Sequence, residues 1–566
     1  MASNFRVTVL VWADILVGYA IWVMTTYLTN VWKLNVIHAA AIVNVFTGVA
    51  FIMPIGMAFL VDAFLGHYCM LLLSSLAYCF GMSLLAMSTP PVLSRYAGNC
   101  DKYKSDCIGD TQKALFYTAL ALIAVGISGH TTSLESFKKQ QEELDQTSNG
   151  QVDLRRRLLD LFANIVVLLL PIVGGIALPY INPWSVRFGI PAICTVVATF
   201  LFISGSLSYR HAEPQGSPLT TVFRVFVASA SKMFHQRPLH ANQFYENHQG
   251  SLDSVPQTPS LRCLDKAAII IPTQTPEQQE QNRWKLCRVT EVEETKIFIR
   301  MIPMWMTFIM CGVVSSIGAT YFQEQANKMN PKVGRLKVPL TILLIFYDIA
   351  KSLSAKFYVK VAKKFTGKYA APIGMIVAML FSILCCITAA IVETRRLGVI
   401  KRHELLDNPD KEIPMTMFWL LPQYLLLGAL DGFAGYLLGD RDEISGFGIA
   451  CFFIGQIPAS MSPCLLFFTR GVFGAGFVGS VLSVYVVGKV KPSWFQDTLH
   501  KSRLDNYYWT LAVLSSINLF LSIWVAIWYS YQHSSIDEIR TPGYQESVTP
   551  YNEDEHCCSF NFSLCC

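Results

Sequence analysis

The segment AAPIGMIVAMLFSILCCITAAIV, residues 370–392, decides the fold class because it contains no charged residue over its whole length. A helix that crosses a lipid bilayer needs about 20 consecutive apolar residues. The apolar residues of this segment are continuous and are not confined to one helical face, which is typical of a helix surrounded by lipid or by other membrane helices. The segment therefore predicts a transmembrane helix.

Eleven other segments have a similar length and apolar character, so the sequence predicts an all-α membrane protein with 12 transmembrane helices in two six-helix bundles. A polar stretch separates the two blocks of six. The first block covers residues 8–29, 38–61, 69–88, 114–133, 161–180 and 186–208, and the second covers 300–322, 338–359, 370–392, 414–438, 463–488 and 507–530.

The composition agrees with a membrane location and excludes several other classes of protein. Of the 566 residues, 52% are hydrophobic and only 15% are charged, whereas soluble proteins average about 25% charged residues. The net charge of +6 is small and scattered, so we expect no nucleic-acid partner. The sequence lacks a P-loop, paired zinc ligands and the GxSxG and HExxH motifs, so we expect neither an enzyme nor a bound metal or resident cofactor.

The polar stretch divides the chain into four predicted regions. These are a first bundle at 1–208, a cytoplasmic central loop at 209–296, a second bundle at 297–531 and a cytoplasmic tail at 532–566. The run that starts at Ser217-Pro218 predicts an amphipathic helix at the membrane interface. An even number of spans places both termini on one side, and clusters of Lys and Arg favour the cytoplasm. The choice between the plasma membrane and the vacuolar or other endomembranes is left open.

The cysteines outside the spans allow two kinds of modification. Cys100 and Cys107 share a predicted external loop, where they form either a disulfide or two free thiols. The tail either carries lipid on its cysteines or remains an unmodified segment. The tail cysteines are Cys557, Cys558, Cys565 and Cys566.

Charged residues inside the predicted spans mark a candidate transport pathway. Two six-helix blocks around a long loop are typical of transporters that expose a central site to each side in turn. Asp14, Asp431 and Arg470 are costly inside a membrane unless they face a partner or a water-filled cavity. We expect Asp431 and Arg470 to form either a titratable or anion-binding pair or a salt bridge that locks two helices. Asp14 is a weaker candidate because it lies near one end of its span.

Six short strings, in the same order along the chain, carry a resemblance to a known family. They are DAFLGHY at 62–68, FGIPA at 188–192, LDKAA at 264–268, VTEVEETK at 289–296, FTGK at 365–368 and FWLLPQY at 418–424. The sequence resembles the plant nitrate/peptide transporter family, part of the proton-coupled oligopeptide transporters within the major facilitator superfamily. The resemblance implies the major facilitator fold, cytoplasmic termini and uptake of a small solute such as nitrate, a peptide or another organic anion, with a proton as candidate co-substrate.

The chain departs from this family where the family carries its coupling charges. The Glu-x-x-Glu-Arg motif of the first span falls on Leu10, Ala13 and Asp14. The lysine that follows Gly-His in the fourth span is replaced by Thr131, and the seventh-span position that is histidine in some nitrate transporters is Ser315. These departures predict altered or lost proton coupling.

The sequence therefore predicts a secondary active transporter of a small solute, and the alternative is a transport-inactive membrane sensor or scaffold that keeps the fold. We expect a small-molecule substrate and membrane lipid as partners, and the oligomeric state is left open. Asp431 is the acid that the chain keeps in the tenth span. The predicted pathway residues are Asp431, Arg470, Asp14, Thr131, Ser315, His130, Tyr27 and Gln423.

Overall fold

The computed structural model describes most of the chain. The described ranges are 2–90, 108–148, 178–209, 217–234, 260–270, 284–434 and 462–540, with gaps at 366, 409–410 and 497, together with positions 245 and 258 and single positions between 162 and 177. The tail cysteines, Cys100 and Cys107 lie outside these ranges, so their modifications stay predictions.

The first block of the sequence folds into long apolar helices that match five of its six predicted spans. The fifth predicted span, residues 161–180, lies mostly outside the described residues. The helices are α1 (Ala2–Trp22), α2 (Met24–Asn30), α3 (Val36–Leu60), α4 (Gly66–Met87), α5 (Asp110–Ser148) and α6 (Trp184–Ser204).

The central loop and the second block contain the remaining described helices and four short strands. Strand β1 (Met329–Asn330) pairs in parallel with β4 (Ile413–Thr416), and β2 (Lys332–Val333) forms a hairpin with β3 (Leu336–Lys337). The helices are α7 (Pro218–Ser231), α8 (Val289–Met306), α9 (Ile309–Ile317), α10 (Gln323–Lys328), α11 (Thr341–Phe365), α12 (Gly367–Arg402), α13 (Leu421–Ala434), α14 (Ser462–Val490) and α15 (Leu504–Arg540).

Eight helical segments of the described chain are long and apolar enough to cross a membrane, or nine if α8 and the bent continuation after it form one span. One of them, Val36–Met87, is 52 residues long and contains two predicted spans. The predicted span at 370–392 lies within α12. The helical, multi-span fold is thus confirmed, while the number 12 and the domain boundaries stay predictions.

The seventh predicted span is interrupted twice. Pro303 removes one backbone donor from α8, and the axis bends by 41° between α8 and the following helix. The Asn518 amide donates to the Thr307 carbonyl at 2.8 Å, which satisfies a backbone acceptor at the bend. A π-helical turn at Gly318–Phe322 then separates α9 from α10.

Helices α3 and α14, one from each block, pack closely in the middle of the molecule. A Cβ atom built at Gly474 would lie 2.7 Å from the Gly48 carbonyl oxygen, so the two glycines allow backbone contact. Farther along the same interface, the Asn44 amide donates to Ser480 Oγ at 3.2 Å. The interface therefore joins the two blocks through small and polar residues.

The amphipathic helix predicted at Ser217-Pro218 is confirmed as α7. Ser217 accepts a hydrogen bond from the Leu219 backbone N–H and caps the helix. The buried face of α7 packs on the turn at Leu264–Ala268. The Lys232 ammonium donates to the Ala267 and Ile269 carbonyls. Burial lowers the pKa of Lys232 to about 8. Phe223 and other apolar residues of the opposite face are exposed, and their contact with lipid stays a prediction.

A buried ionic cluster attaches the central loop to α8. Lys296, which is 0% exposed, forms ion pairs with Asp265 and, at 2.7 Å, with Glu293. Thr258 donates through its hydroxyl to Glu293 at 2.6 Å and accepts from the Arg300 guanidinium at 2.6 Å. The loop and the base of α8 are thus held together by charges that are shielded from water.

Candidate transport pathway

The acid of the tenth predicted span, Asp431, lies in a buried polar site of the second bundle. Its carboxylate is 2% exposed and accepts two short hydrogen bonds. Ser315 Oγ donates to Oδ1 and the Tyr347 hydroxyl donates to Oδ2, both at 2.6 Å. Three helices, α9, α11 and α13, therefore meet at this carboxylate.

Two glycines of α13 bring the carboxylate close to α11. A Cβ at Gly428 would overlap the Tyr347 carbonyl, and a Cβ at Gly432 would overlap the Lys351 carbonyl. This close approach places the Lys351 ammonium near enough to act electrostatically on Asp431. Lys351 on the neighbouring helix α11 is thus a cation that acts on Asp431 without a described ion pair.

The expected direct pairing of Asp431 with Arg470 is wrong in this conformation. Among the described contacts, the Asp431 oxygens are taken by Ser315 and Tyr347, whereas the Arg470 guanidinium lies 5.1 Å from the centre of the Phe51 ring. The physical reason is the rotation of α14, which directs Arg470 toward α3 of the other block. Spacing along the sequence cannot reveal which helix a side chain faces.

In the first bundle, Asp14 and His130 form a direct contact. Asp14 Oδ1 lies 2.8 Å from His130 Nδ1, and Ser75 Oγ lies 2.8 Å from the other ring nitrogen, Nε2. The Asp14 side chain is 19% exposed, whereas the His130 side chain is 3% exposed. The three side chains come from α1, α5 and α4 and form one hydrogen-bonded row.

Small residues on α5 allow this row to form. A Cβ at Gly129 would overlap Ser74, and a Cβ at Gly126 would lie 2.6 Å from the Tyr78 ring. Larger residues at these two positions would push α5 away from α4, and the contact between His130 and Ser75 would be broken.

The remaining predicted lining residues differ in their surroundings. Thr131 is partly exposed and donates to the Ile127 carbonyl at 2.7 Å. Tyr27 is 0% exposed and packs 5.2 Å from the rings of Trp184 and Phe188, so it belongs to the first bundle's core and does not line a cavity. Gln423 is also 0% exposed, and neither its side-chain nitrogen nor its oxygen has a hydrogen-bond partner within the described part of the chain.

The two bundles also meet at the ends of α2 and α10. Thr29 donates to the Glu324 carboxylate at 3.1 Å, and the Gln323 amide donates to Thr26 at 3.3 Å. Glu324 is 1% exposed. These contacts join the first and seventh predicted spans and hold the bundles together at that end of the molecule.

Comparisons with known proteins identify the family. The sequence pattern of the POT family matches residues 68–439. Protein NRT1/ PTR FAMILY 5.5 of Arabidopsis thaliana is 43% identical over 531 residues, which cover 92% of this chain and 96% of that protein. The chain belongs to the POT family.

Other POT family proteins agree with this assignment. Protein NRT1/ PTR FAMILY 8.1 of Arabidopsis thaliana is 31% identical over 88% of this chain and 89% of its own length. The crystal structure of an auto inhibited POT family peptide transporter superposes with a TM-score of 0.62 at 14% identity, covering 98% of this chain and 99% of that one. A proton dependent oligopeptide (POT) family transporter gives a TM-score of 0.55 at 17% identity, with coverages of 92% and 100%.

Membership in the POT family makes the chain a multi-pass membrane protein and a secondary active transporter of small solutes. The alternative, a transport-inactive sensor, is not favoured. The fold expected from the resemblance, that of the major facilitator superfamily, is confirmed by the solved POT structures.

Within this POT family chain, sequence reasoning missed Ser75, Tyr347 and Lys351 as functional candidates. Lys351 carries the clearest signal, since it is a charge inside a predicted span, but we would expect Asp348 three residues earlier to neutralise it. Ser75 and Tyr347 carry no signal, because serine and tyrosine are common in membrane helices. Only their contacts with His130 and Asp431 distinguish them.

Proposed function

We propose that the chain couples uptake of a small solute to protons and that Asp14 and His130 carry the proton. The observation that supports the proposal is the 2.8 Å contact between Asp14 Oδ1 and His130 Nδ1 inside the first bundle. Histidine is the side chain whose unperturbed pKa lies closest to physiological pH, so a histidine in a transport pathway is a natural proton carrier. The family's Glu-x-x-Glu-Arg positions lack charge at Leu10 and Ala13, so Asp14 is the acid that remains there.

Charge balance explains how this pair works inside a membrane. Without the proton, the pair carries one negative charge on Asp14, stabilised by the Nδ1–H of neutral His130. With the proton, imidazolium and carboxylate neutralise each other, so the pair has no net charge. A charge in the membrane interior requires a partner or water. The protonated pair is therefore better suited to a closed cavity, and the deprotonated pair to a hydrated one.

The Asp431 site has a different role in this proposal. Two hydroxyl donors and the Lys351 ammonium already balance its charge within the second bundle. We assign it to shaping the solute site together with Ser315, while Thr131 and Arg470 border the pathway from the opposite bundle and from α14. Nitrate and a dipeptide represent two of the solute classes that the resemblance implies, and the third is another organic anion.

Neutralising the pair is expected to remove the response to a pH gradient. Asp14→Asn and His130→Gln each prevent formation of the imidazolium–carboxylate pair. Uptake should therefore no longer rise when the outside is acidified. The measurement is uptake of labelled nitrate, labelled dialanine and a metabolite mixture into oocytes at two external pH values. Asp110→Asn, which removes an exposed carboxylate at the start of α5, serves as the matched control and should respond like the unmodified chain. A full pH response in Asp14→Asn would refute the proposal.

Removing the second acid is expected to give a different result. Asp431→Asn removes the buried carboxylate that accepts hydrogen bonds from Ser315 and Tyr347, which distorts the solute site. Uptake should therefore fall at every pH, while the ratio of uptake with and without a pH gradient stays unchanged. If that ratio collapses to one, Asp431 takes part in proton coupling and our division of roles is wrong. Asp407→Asn, a mutation of an exposed acid, is the control.

A further inference from the structure

Ser75 lies within hydrogen-bond distance of His130 and can bond to both protonation states of its ring. It is 0% exposed, and its Oγ lies 2.8 Å from His130 Nε2, the ring nitrogen that faces away from Asp14. Its neighbour Ser74 is equally buried but donates to the Met70 carbonyl of its own helix at 2.6 Å. Of these two adjacent serines, only Ser75 has a described bond to the imidazole.

The chemistry of imidazole makes this contact important. In neutral histidine one ring nitrogen donates and the other accepts, whereas in the imidazolium both nitrogens donate. If Nδ1 donates to Asp14 in both states, Nε2 changes from acceptor to donor when His130 gains its proton. A serine hydroxyl rotates and both donates and accepts. Ser75 can therefore satisfy Nε2 before and after protonation, and no buried polar atom loses its partner.

We infer that Ser75 is a positioning residue for proton coupling: it acts through His130 and allows the imidazole to change charge in a buried site. The inference rests on the proposed function, since it assumes that the Asp14–His130 pair carries the proton. An alanine there would leave Nε2 unpaired in both states, and the loss is larger for the charged state because hydrogen bonds to ions are stronger. The protonated pair would then require a more acidic solution.

His130 is faced by groups from α1, α4 and α3. Asp14 faces it from α1, and the Tyr78 ring of α4 meets it edge-on at 5.2 Å. Helix α3 presents a backbone carbonyl near this level, that of Ala50, which accepts from Ser128. Asp14 is thus the titratable partner in direct hydrogen-bond contact, and Tyr78 is the titratable neighbour in ring contact.

The test compares two neighbouring serines in the full-length chain. We expect Ser75→Ala to move the pH midpoint of uptake about one unit toward acid, the size produced by losing one hydrogen bond to a charged group. Ser75→Thr keeps the hydroxyl and should restore the midpoint, and Ser74→Ala should leave it unchanged. The probes are labelled nitrate and labelled dialanine. Infrared titration of the His130 imidazole ring band in purified protein, assigned by its loss in His130→Gln, gives the same midpoint without a solute.

The outcomes separate the two proposals. An unchanged midpoint in Ser75→Ala, with a melting temperature equal to that of Ser74→Ala, overturns the role of Ser75 even if Asp14→Asn loses its pH response. A pH response that persists in Asp14→Asn overturns the proposed function itself. A shifted midpoint that Ser75→Thr restores supports the inference, because a merely structural serine would alter protein stability and leave the infrared midpoint in place.

Discussion

Replacing Lys296 by methionine is expected to destabilise the protein by about 3–5 kcal/mol, because breaking a buried ion pair leaves its partner charges uncompensated. Lys296 is fully buried and neutralises both Asp265 of the central loop and Glu293 of its own helix. Methionine has a similar length but no charge, so Asp265 and Glu293 would both lose their ion pair with this buried cation. Detergent melting curves and the surface abundance of a fluorescent fusion measure the loss.

Two further variants show whether the loss comes from the cluster. Lys285→Met removes an exposed lysine from the segment just before α8 and should melt like the unmodified protein. Combining Lys296→Met with Asp265→Asn and Glu293→Gln removes the two carboxylates that lost this ion pair and should recover part of the stability. Equal melting of Lys296→Met and Lys285→Met would mean that the cluster contributes little.

Gly474→Leu is expected to reduce uptake by about fivefold to about a hundredfold, since overpacking costs about 1–3 kcal/mol and about 1.4 kcal/mol corresponds to a factor of ten. The first atom of the new side chain would lie 2.7 Å from both the Gly48 carbonyl oxygen and Phe51 Cβ. Backbone atoms cannot move aside as a flexible side chain can, so α14 must shift away from α3. Uptake per molecule at the cell surface is the measurement.

Gly488→Leu provides the control on the same helix. The nearest atom to a Cβ at Gly488 is in the Phe495 ring, 3.9 Å away, so leucine has room there. Its uptake should match that of the unmodified chain. Gly474→Ala adds a single methyl group and should fall between the two leucine variants. Normal uptake by Gly474→Leu would show that the α3–α14 contact does not limit transport.

The sequence predicted the helices well because hydropathy is a local property. Residues 370–392 lie within α12, and the Ser217-Pro218 start of the amphipathic helix is the start of α7. Apolar length and a capping serine act within a few residues of themselves, so no knowledge of the tertiary structure is needed. Helix α3 likewise begins after a local cap, because the Asn35 side chain accepts a hydrogen bond from the His38 backbone N–H.

The site was harder to predict because it depends on how each helix is rotated. Asp14 and His130 were both recognised as candidates, but nothing in their types or spacing showed that they touch. Charge alone pairs Arg470 with Asp431, although in the folded chain the Arg470 guanidinium lies over the Phe51 ring and Lys351 acts electrostatically on Asp431. Close approach of helices through glycines such as Gly432 decides these pairings. Glycines are common in membrane helices, and the position of a glycine in the sequence does not show which helix packs against it.

The two interruptions of the seventh predicted span have a mechanical consequence. The bend after α8 and the π-helical turn at Gly318–Phe322 divide the span into three short rods joined at two hinges. The inner rod is anchored by Lys296, whereas the outer rod carries Glu324, which binds Thr29 of the other block. We expect that the rod that carries Glu324 can move away from Thr29 while the rod that carries Lys296 stays attached to the central loop. A single rigid helix would have to break both attachments at once.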